Sequence, residues 1–362
     1  MSPLNGPTGI GTSAARRFAP HVRVADAACD IASLRLDCPP PRREDPLLAA
    51  RINERLLNWA DQVGLYHGQL ERVRAADFGN LAVLCYPESD DLDLLTVPAR
   101  CALAIWALDD HYCDDPSLGA VPALTGTRLA TASATLDRVR LPARYEERFE
   151  HATRTDPVLI GLRSAVGHLA AITSPIQLDR TRHSLLTLFS ALAQEASWRA
   201  ARHQPRVWEY LVNRQANSFL PCLTVIDALG TYRLPPADWA DPRVRQAVGT
   251  AALASCVAND IYSLDVENHA AGQDFNLPRA VAEEHSCTAQ EALRISADLH
   301  NELMDRFHAR SEELAAGAGP ELRRFLDGVL AWCAGSLAWH RSSPRYRSGR
   351  VPGAAIHPED RT

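Results

Sequence analysis

The chain has 362 residues, 46% of them hydrophobic and 23% charged, enough for one sizeable core or two modest ones. Its net charge of −6 argues against a nucleic-acid partner, which would call for a basic face, and no apolar run approaches the roughly 20 residues of a membrane span. The opening segment lacks an apolar secretory stretch, and nine cysteines without Cys-x-x-Cys pairs point to a reducing compartment, so a soluble cytoplasmic protein is expected.

Residues 1–45 read as a flexible tail, rich in Gly, Pro and Ser and ending in CPPPRRED. Helical periodicity begins at Pro46, with Asp45 as N-cap and apolar residues at Leu47, Leu48, Ile52, Leu56, Leu57 and Ala60 on one face. Similar stretches follow near 96–112, 123–138, 144–172, 177–200, 206–229, 241–266, 287–313 and 320–341. Residues 349–362 read as a second flexible tail. Strand and repeat signals are nearly absent, so the expected architecture is a single all-α domain of about ten helices over 46–348. Bundles of that kind build their sites around a central cavity between facing helices.

The stretch near 96–112 carries the first chemical signal. Ile105-Trp106-Ala107-Leu108-Asp109-Asp110-His111-Tyr112-Cys113-Asp114-Asp115 ends an apolar helix in four aspartates. Continued α-helix would put Asp110 and Asp114 on one face with Asp109 beside them. Like charges at a helix C-terminus are doubly disfavoured, by mutual repulsion and by the helix dipole, unless a cation neutralises them. All-oxygen ligation suits a hard ion such as Mg²⁺. Cys113 is the wrong donor for that ion and is expected to be a packing residue. The plain alternative is an acidic loop facing solvent.

The second signal is Asn259-Asp260-Ile261-Tyr262-Ser263-Leu264-Asp265-Val266-Glu267, after the apolar run GTAALASCVA. Asn259, Ser263 and Glu267 lie four residues apart and share a helix face. They offer an amide oxygen, a hydroxyl and a carboxylate, again a hard-cation set. Asn and Ser are poor mid-helix residues, which favours a chemical task over a polar surface stripe. Two such faces, about 150 residues apart in sequence, can clamp a polyanion through shared ions. Between them, Pro221 should break its helix, because its ring clashes with the carbonyl of Asn217; an ordinary kink is the alternative. Trp106, Tyr112 and Phe219 lie close in sequence to these motifs, and Trp339 close to Arg345-Tyr346; all four could stabilise a cation through their ring faces, although a single aromatic is more often core.

These motifs resemble the aspartate-rich and N-D-x-x-S-x-x-x-E motifs of class I terpene synthases. Arg214, 45 positions before Asn259, resembles the family's diphosphate-sensing arginine, and Arg345-Tyr346 its C-terminal Arg-Tyr pair. LDCPPPRREDP, VGLYHGQLERVRAADFG and NRQANSFLPCL are similar to the bacterial 2-methylisoborneol synthase branch. The resemblance, spanning about 36–347, implies Mg²⁺-dependent ionisation and cyclisation of an acyclic prenyl diphosphate, 2-methylgeranyl diphosphate on that branch. It implies three Mg²⁺ ions, held by Asp109 with Asp110 and Asp114 and by Asn259, Ser263 and Glu267. Diphosphate contacts fall to Arg214, Asn259, Arg345 and Tyr346. Arg214, Asn217 and Ser218 match the family's sensor, linker and effector at a broken helix, and a homodimer is suggested. Three departures stand out: D-D-x-x-x-D spacing in place of D-D-x-x-D, Val266 where a basic residue often precedes the final Glu, and a short segment before the domain. Farnesyl or longer diphosphate cyclases, chain-elongating prenyltransferases and a non-catalytic helical interaction protein remain the competing readings.

Overall fold

A computed structural model describes residues 30–136, 140–267 and 275–346, with the side chains of 265–267 and of residue 345 excepted. The described residues form sixteen α-helices and no strand. The first four are α1 (Pro46–Val63), α2 (Leu70–Ala76), α3 (Phe78–Cys85) and α4 (Leu92–Asp109), followed by α5 (Pro122–Leu136), α6 (Ala143–Thr155), α7 (Pro157–Ile172) and α8 (Pro175–Ala201). Three short or interrupted pieces come next, α9 (Val207–Ala216), α10 (Leu220–Leu223) and α11 (Ile226–Leu229). Then follow α12 (Pro236–Ala240), α13 (Pro242–Glu267), α14 (Leu277–His285), α15 (Ala289–Ala315) and α16 (Pro320–Ser342).

Local chemistry explains the starts. Proline occupies the first turn of α1, α7, α8 and α16, where its missing N–H costs nothing. Asp45 accepts from the Leu48 amide and Asp156 from the Val158 amide, while Ser174 and Gln177 cap each other's backbone. The stretch read as one helix over 144–172 is split at Asp156-Pro157, since proline drives the preceding residue out of the α region. Helices α2 and α3 escaped the periodicity because Gly64, Gly68, Tyr66 and Asp77, all at positive φ, chop the segment into pieces shorter than the pattern.

Helix α13 runs through the middle of the bundle. Val244, Val248, Ala251, Ala254, Cys256, Val257 and Ile261 are all fully buried and lie around the whole helix, as expected of an element covered on every side. Helix α16 presses against α3 at Gly335, where an added Cβ would meet the Leu84 carbonyl and the Cys85 nitrogen, the latter at 2.7 Å. Backbone cannot yield as a flexible side chain does. Gly335→Ala is therefore expected to destabilise the protein by about 1–3 kcal/mol, read as a lowered urea midpoint at unchanged slope.

Residues 30–45, read from sequence as the end of a flexible tail, lie against the bundle. Leu36 is buried, the Asp37 amide donates to Asn301 Oδ1 at 2.7 Å, and Asn301 returns a bond to the Arg35 carbonyl at 3.0 Å. The segment lacks helical periodicity because, apart from one 3-10 turn at Ile31–Ser33, it is irregular and is held by α15 and other parts of the bundle. Residues 1–29 and 347–362 lie outside the described part. No described helix is long and apolar enough to cross a membrane, and the eight described cysteines are all free.

Candidate active site

The first acidic cluster sits where α4 changes its hydrogen-bonding pattern. From Asp110 to Asp114 the chain forms a π-turn, closed by the Asp115 amide donating to the Asp110 carbonyl at 2.9 Å. Such wide turns recur at functional sites. The extra residue undoes the simple face-sharing expected of Asp110 and Asp114, and the two carboxylates have different partners. Asp110 Oδ2 accepts from the Tyr66 hydroxyl at 2.6 Å, and Asp114 Oδ1 from Arg199 Nη2 at 2.5 Å. Asp109 Oδ1 is buried and receives no hydrogen bond. Burial, then the charges of Asp114, Glu195 and Asp110, push the Asp109 carboxyl well above the usual carboxylate range. Burial also raises Asp114, against the opposing pull of Arg199.

Cys113 is buried, with its thiol pushed up by burial, which fits the packing role expected of it. Tyr112 is the exception among the aromatic candidates. Its hydroxyl donates to Asp156 Oδ2 at 2.6 Å and the Arg128 guanidinium lies over its ring, so it is engaged on the α5–α7 side and does not join the other rings. A turn that adds a residue reverses which neighbour faces inward, and sequence adjacency does not reveal that.

The second cluster lies on α13. Asn259 Oδ1 accepts from Arg214 Nη2 at 3.1 Å, and its amide nitrogen lies 3.0 Å from His340 Nε2 and 3.1 Å from the Tyr346 hydroxyl. His340 Nδ1 is 2.7 Å from the Ser336 carbonyl, so it carries the proton and Nε2 accepts from Asn259. Ser263 is buried, its Oγ 3.5 Å from Asn276 Nδ2. The side chains of Glu267 and of Arg345 lie outside the described part, although Glu267 ends α13 in register with Asn259 and Ser263.

The helix carrying Arg214 does break. Helix α9 ends at Ala216 and α10 begins at Leu220, with Pro221 in its first turn. The carbonyl that Pro221 would have crowded, that of Asn217, accepts from Arg214 Nη1 at 2.7 Å. It therefore orients the guanidinium and is not a bare dipole facing the cavity. The Asn217 side chain donates to Glu195 Oε1 at 2.8 Å, and Ser218 is buried, its Oγ donating to the Gln215 carbonyl at 3.2 Å. Asp260, itself held by the Tyr210 hydroxyl at 2.7 Å, lies 2.8 Å from Arg214 Nη2. Burial opposes the Arg214 charge, but Asp260 and its neighbours more than offset that and hold the group firmly protonated. Arg214 Nε is buried and has no acceptor.

Three of the four candidate rings meet. Trp106 stacks near Phe219 at 6.4 Å between centroids and meets Trp339 edge-on at 6.0 Å. Phe78 and Trp332, which the sequence reading passed over, complete the cluster at 5.1 Å from Trp106 and 5.3 Å from Phe219. Trp339 is fully buried, its indole N–H donating to the Ala76 and Asp77 carbonyls at 3.0 and 3.1 Å. Beside the break, Ala104, Ile105, Leu185, Pro221 and Cys222 line an apolar cavity of about 30 Å³. Also unforeseen were the roles of Glu195, Arg199, Tyr66, Asp260 and His340: the first two are isolated polar residues of a long helix, Tyr66 lies in the turn after α1, and Asp260 and His340 stand beside Asn259 and Trp339.

The residues fit a divalent cation beside a polyanion. An acceptor without a donor on Asp109 and a cationic donor without an acceptor on Arg214 are what a metal ion and a diphosphate oxygen, respectively, would satisfy. Among the described residues no three Asp, Glu, His or Cys side chains converge on one point. A shell completed by Asn, Ser and ligand phosphate oxygens accounts for that.

Comparison with known proteins agrees with this geometry. Residues 100–306 match the family model described as terpene synthase family 2, C-terminal metal binding. The 2-methylisoborneol synthase of Saccharopolyspora erythraea is 35% identical over 316 residues, covering 86% of this chain and 89% of that protein. The enzyme of the same name from Streptomyces coelicolor is 33% identical, over 94% of this chain and 79% of its own. Its crystal structure in complex with Mg²⁺ and 2-fluoroneryl diphosphate superposes with a TM-score of 0.81 over 85% of this chain and 95% of that one, at 33% identity. The chain belongs to the bacterial class I terpene synthase family, in its 2-methylisoborneol synthase-like branch.

Proposed function

We propose that the chain, with residues 46–348 as its catalytic domain, ionises 2-methylgeranyl diphosphate and closes the resulting cation to 2-methylisoborneol or a related methylated monoterpene. The observation that carries this reading is the pair of unsatisfied buried atoms of opposite character, Asp109 Oδ1 and Arg214 Nε, with Trp106 on the helix of Asp109 and Phe219 at the break after the helix of Arg214 in one ring cluster. The ligand of the Streptomyces coelicolor complex, a C10 diphosphate analogue with Mg²⁺, supports the substrate class and the metal.

In this reading Asp109, with Asp110 and Asp114 nearby, and Asn259, Ser263 and Glu267 hold Mg²⁺, three ions in all. The ions supply electrostatic stabilisation of the departing diphosphate. Arg214, fixed on one side by Asp260 and on the other by the Asn217 carbonyl, keeps Nε free of protein acceptors for a phosphate oxygen. Asn259, Arg345 and Tyr346 contact the same group. The allylic C–O bond breaks heterolytically, both electrons leaving with diphosphate. Trp106, Phe219 and Trp339 turn ring faces to the cation, each face worth about 0.5–2 kcal/mol. Ser218 shapes the break. The apolar side chains beside the break, Ile105, Leu185 and Cys222 among them, keep water from the cation until it has cyclised. A cytoplasmic location, supported by the free thiols, and a homodimer, resting on the family alone, belong to the same reading.

The test is product analysis by gas chromatography and mass spectrometry. Purified protein is incubated with Mg²⁺ and, separately, geranyl, 2-methylgeranyl, farnesyl and geranylgeranyl diphosphates. The expected result is a cyclic methylated monoterpene from the 2-methylgeranyl substrate, abolished by a chelator. Faster turnover of farnesyl diphosphate would overturn the substrate assignment, and the absence of diphosphate release from all four would overturn the reading.

A further inference from the structure

Two buried charged residues on α8, Glu195 and Arg199, belong to neither metal motif, yet they lie between them. Arg199 Nη2 donates to Asp114 Oδ1 at 2.5 Å and lies 3.7 Å from Glu195 Oε2. The other Glu195 oxygen accepts from Asn217 Nδ2 at 2.8 Å. The Asn217 carbonyl holds Arg214 Nη1 at 2.7 Å, and Arg214 Nη2 reaches Asn259 Oδ1 at 3.1 Å. An unbroken polar chain thus runs from the aspartate cluster, through α8 and the helix break, to the N-D-x-x-S-x-x-x-E helix. The side chains of Glu195 and Arg199 are 9% and 10% exposed. A glutamate and an arginine so buried are retained at a desolvation cost, which an apolar pair of the same size would avoid.

We propose that Glu195 and Arg199 form a coupling bridge, which ties the position of Asp114 to that of Asn217 and hence to the aim of Arg214. They are positioning residues. With Asp114 engaged by Arg199, Glu195 takes up Asn217 and holds the Arg214 guanidinium toward the chamber. A change in the Asp114–Arg199 contact, as when a polyanion and its cations settle at the aspartate cluster, passes through the same two side chains to the arginine across the site. The third aspartate of the D-D-x-x-x-D spacing is then first a counter-ion to Arg199. The inference rests on the proposed diphosphate site but needs neither a particular hydrocarbon chain nor turnover.

The probe is inorganic pyrophosphate with Mg²⁺, its affinity followed by intrinsic tryptophan fluorescence and by calorimetry. Asp114→Asn and Asn217→Ala are measured singly and together, since these residues do not touch each other and neither change removes the buried Glu–Arg pair. The expected result is non-additivity of about tenfold in pyrophosphate affinity, the double variant losing less than the product of the single losses. Repeating the cycle with Glu195→Gln, which keeps an oxygen for Asn217 but drops the charge facing Arg199, should reduce that factor to about two or less. Multiplicative losses in the native background would overturn the bridge, as would a coupling that Glu195→Gln leaves intact. Each variant's melting temperature without ligand identifies losses due to unfolding. Failure of the native protein to bind pyrophosphate with Mg²⁺ would instead refute the diphosphate site itself, a distinguishable outcome.

Discussion

Asp109→Ala and Asn259→Ala should each lower Mg²⁺-dependent diphosphate release on the order of a thousandfold, and Asp109→Ala should leave the protein at least as stable as before. The rate follows from the site's division of labour. Departure of diphosphate concentrates negative charge where the two motifs meet, and preorganised charge there lowers the barrier more than any other single device. Asp109 offers the unsatisfied carboxylate oxygen at that point, and Asn259 touches Arg214, His340 and Tyr346 at once. Asp110→Asn should cost less, because Asp110 already accepts from Tyr66 and an amide can keep that bond. Stability moves the other way because burial and the charges of Asp114, Glu195 and Asp110 all work against ionised Asp109 when no cation is bound. Removing it relieves repulsion that the fold maintains for function. A coupled phosphate assay and a melting curve without Mg²⁺ check both halves. An inactive variant that melts well below the native protein would indicate a folding defect and remove the argument.

Asp227→Ala is expected to cost about 3–5 kcal/mol of stability, the largest loss of any single change considered. Asp227 is fully inaccessible and pairs with Arg180, whose Nε also donates to the Thr224 carbonyl at 2.8 Å. The same carboxylate accepts from the Leu234 amide at 3.0 Å, and Trp239 and Phe325 pack their rings near the guanidinium. Truncation would leave an unpaired arginine in a nearly dry environment and free an amide with no alternative acceptor. A double change, Arg180→Met with Asp227→Leu, should recover part of the loss, since it removes both charges. Urea unfolding monitored by circular dichroism measures each difference. A single-variant loss below about 1 kcal/mol would mean that water reaches this pair. The pair anchors α11, just beyond the helix break, so the active site inherits its rigidity from an interaction distant from the chemistry.

The sequence by itself determined the helical class, the helices that carry the two polar motifs and the break before Pro221. Each is a local property: periodicity, residue chemistry at fixed spacing, and a ring that excludes a carbonyl. It also pointed to Trp106 and Phe219, which sit next to those motifs along the chain, and to Trp339, which precedes Arg345-Tyr346. Only the tertiary structure decided which polar side chains face one another. Glu195 and Arg199 read as unremarkable positions in a long helix until α8 is laid between the aspartate turn and the break. Tyr112 was misjudged for the converse reason: the π-turn adds a residue and directs it to Asp156, whereas spacing arguments assume a regular helix. Phe78 and Trp332 were passed over because α3 is short and glycine-interrupted and because α16 approaches it through Gly335, a contact made between segments some 250 residues apart in the chain. A motif can be read from spacing alone because its members share one backbone. The walls, the bridge and the anchor are set by distances between different helices, which depend on how every buried side chain packs.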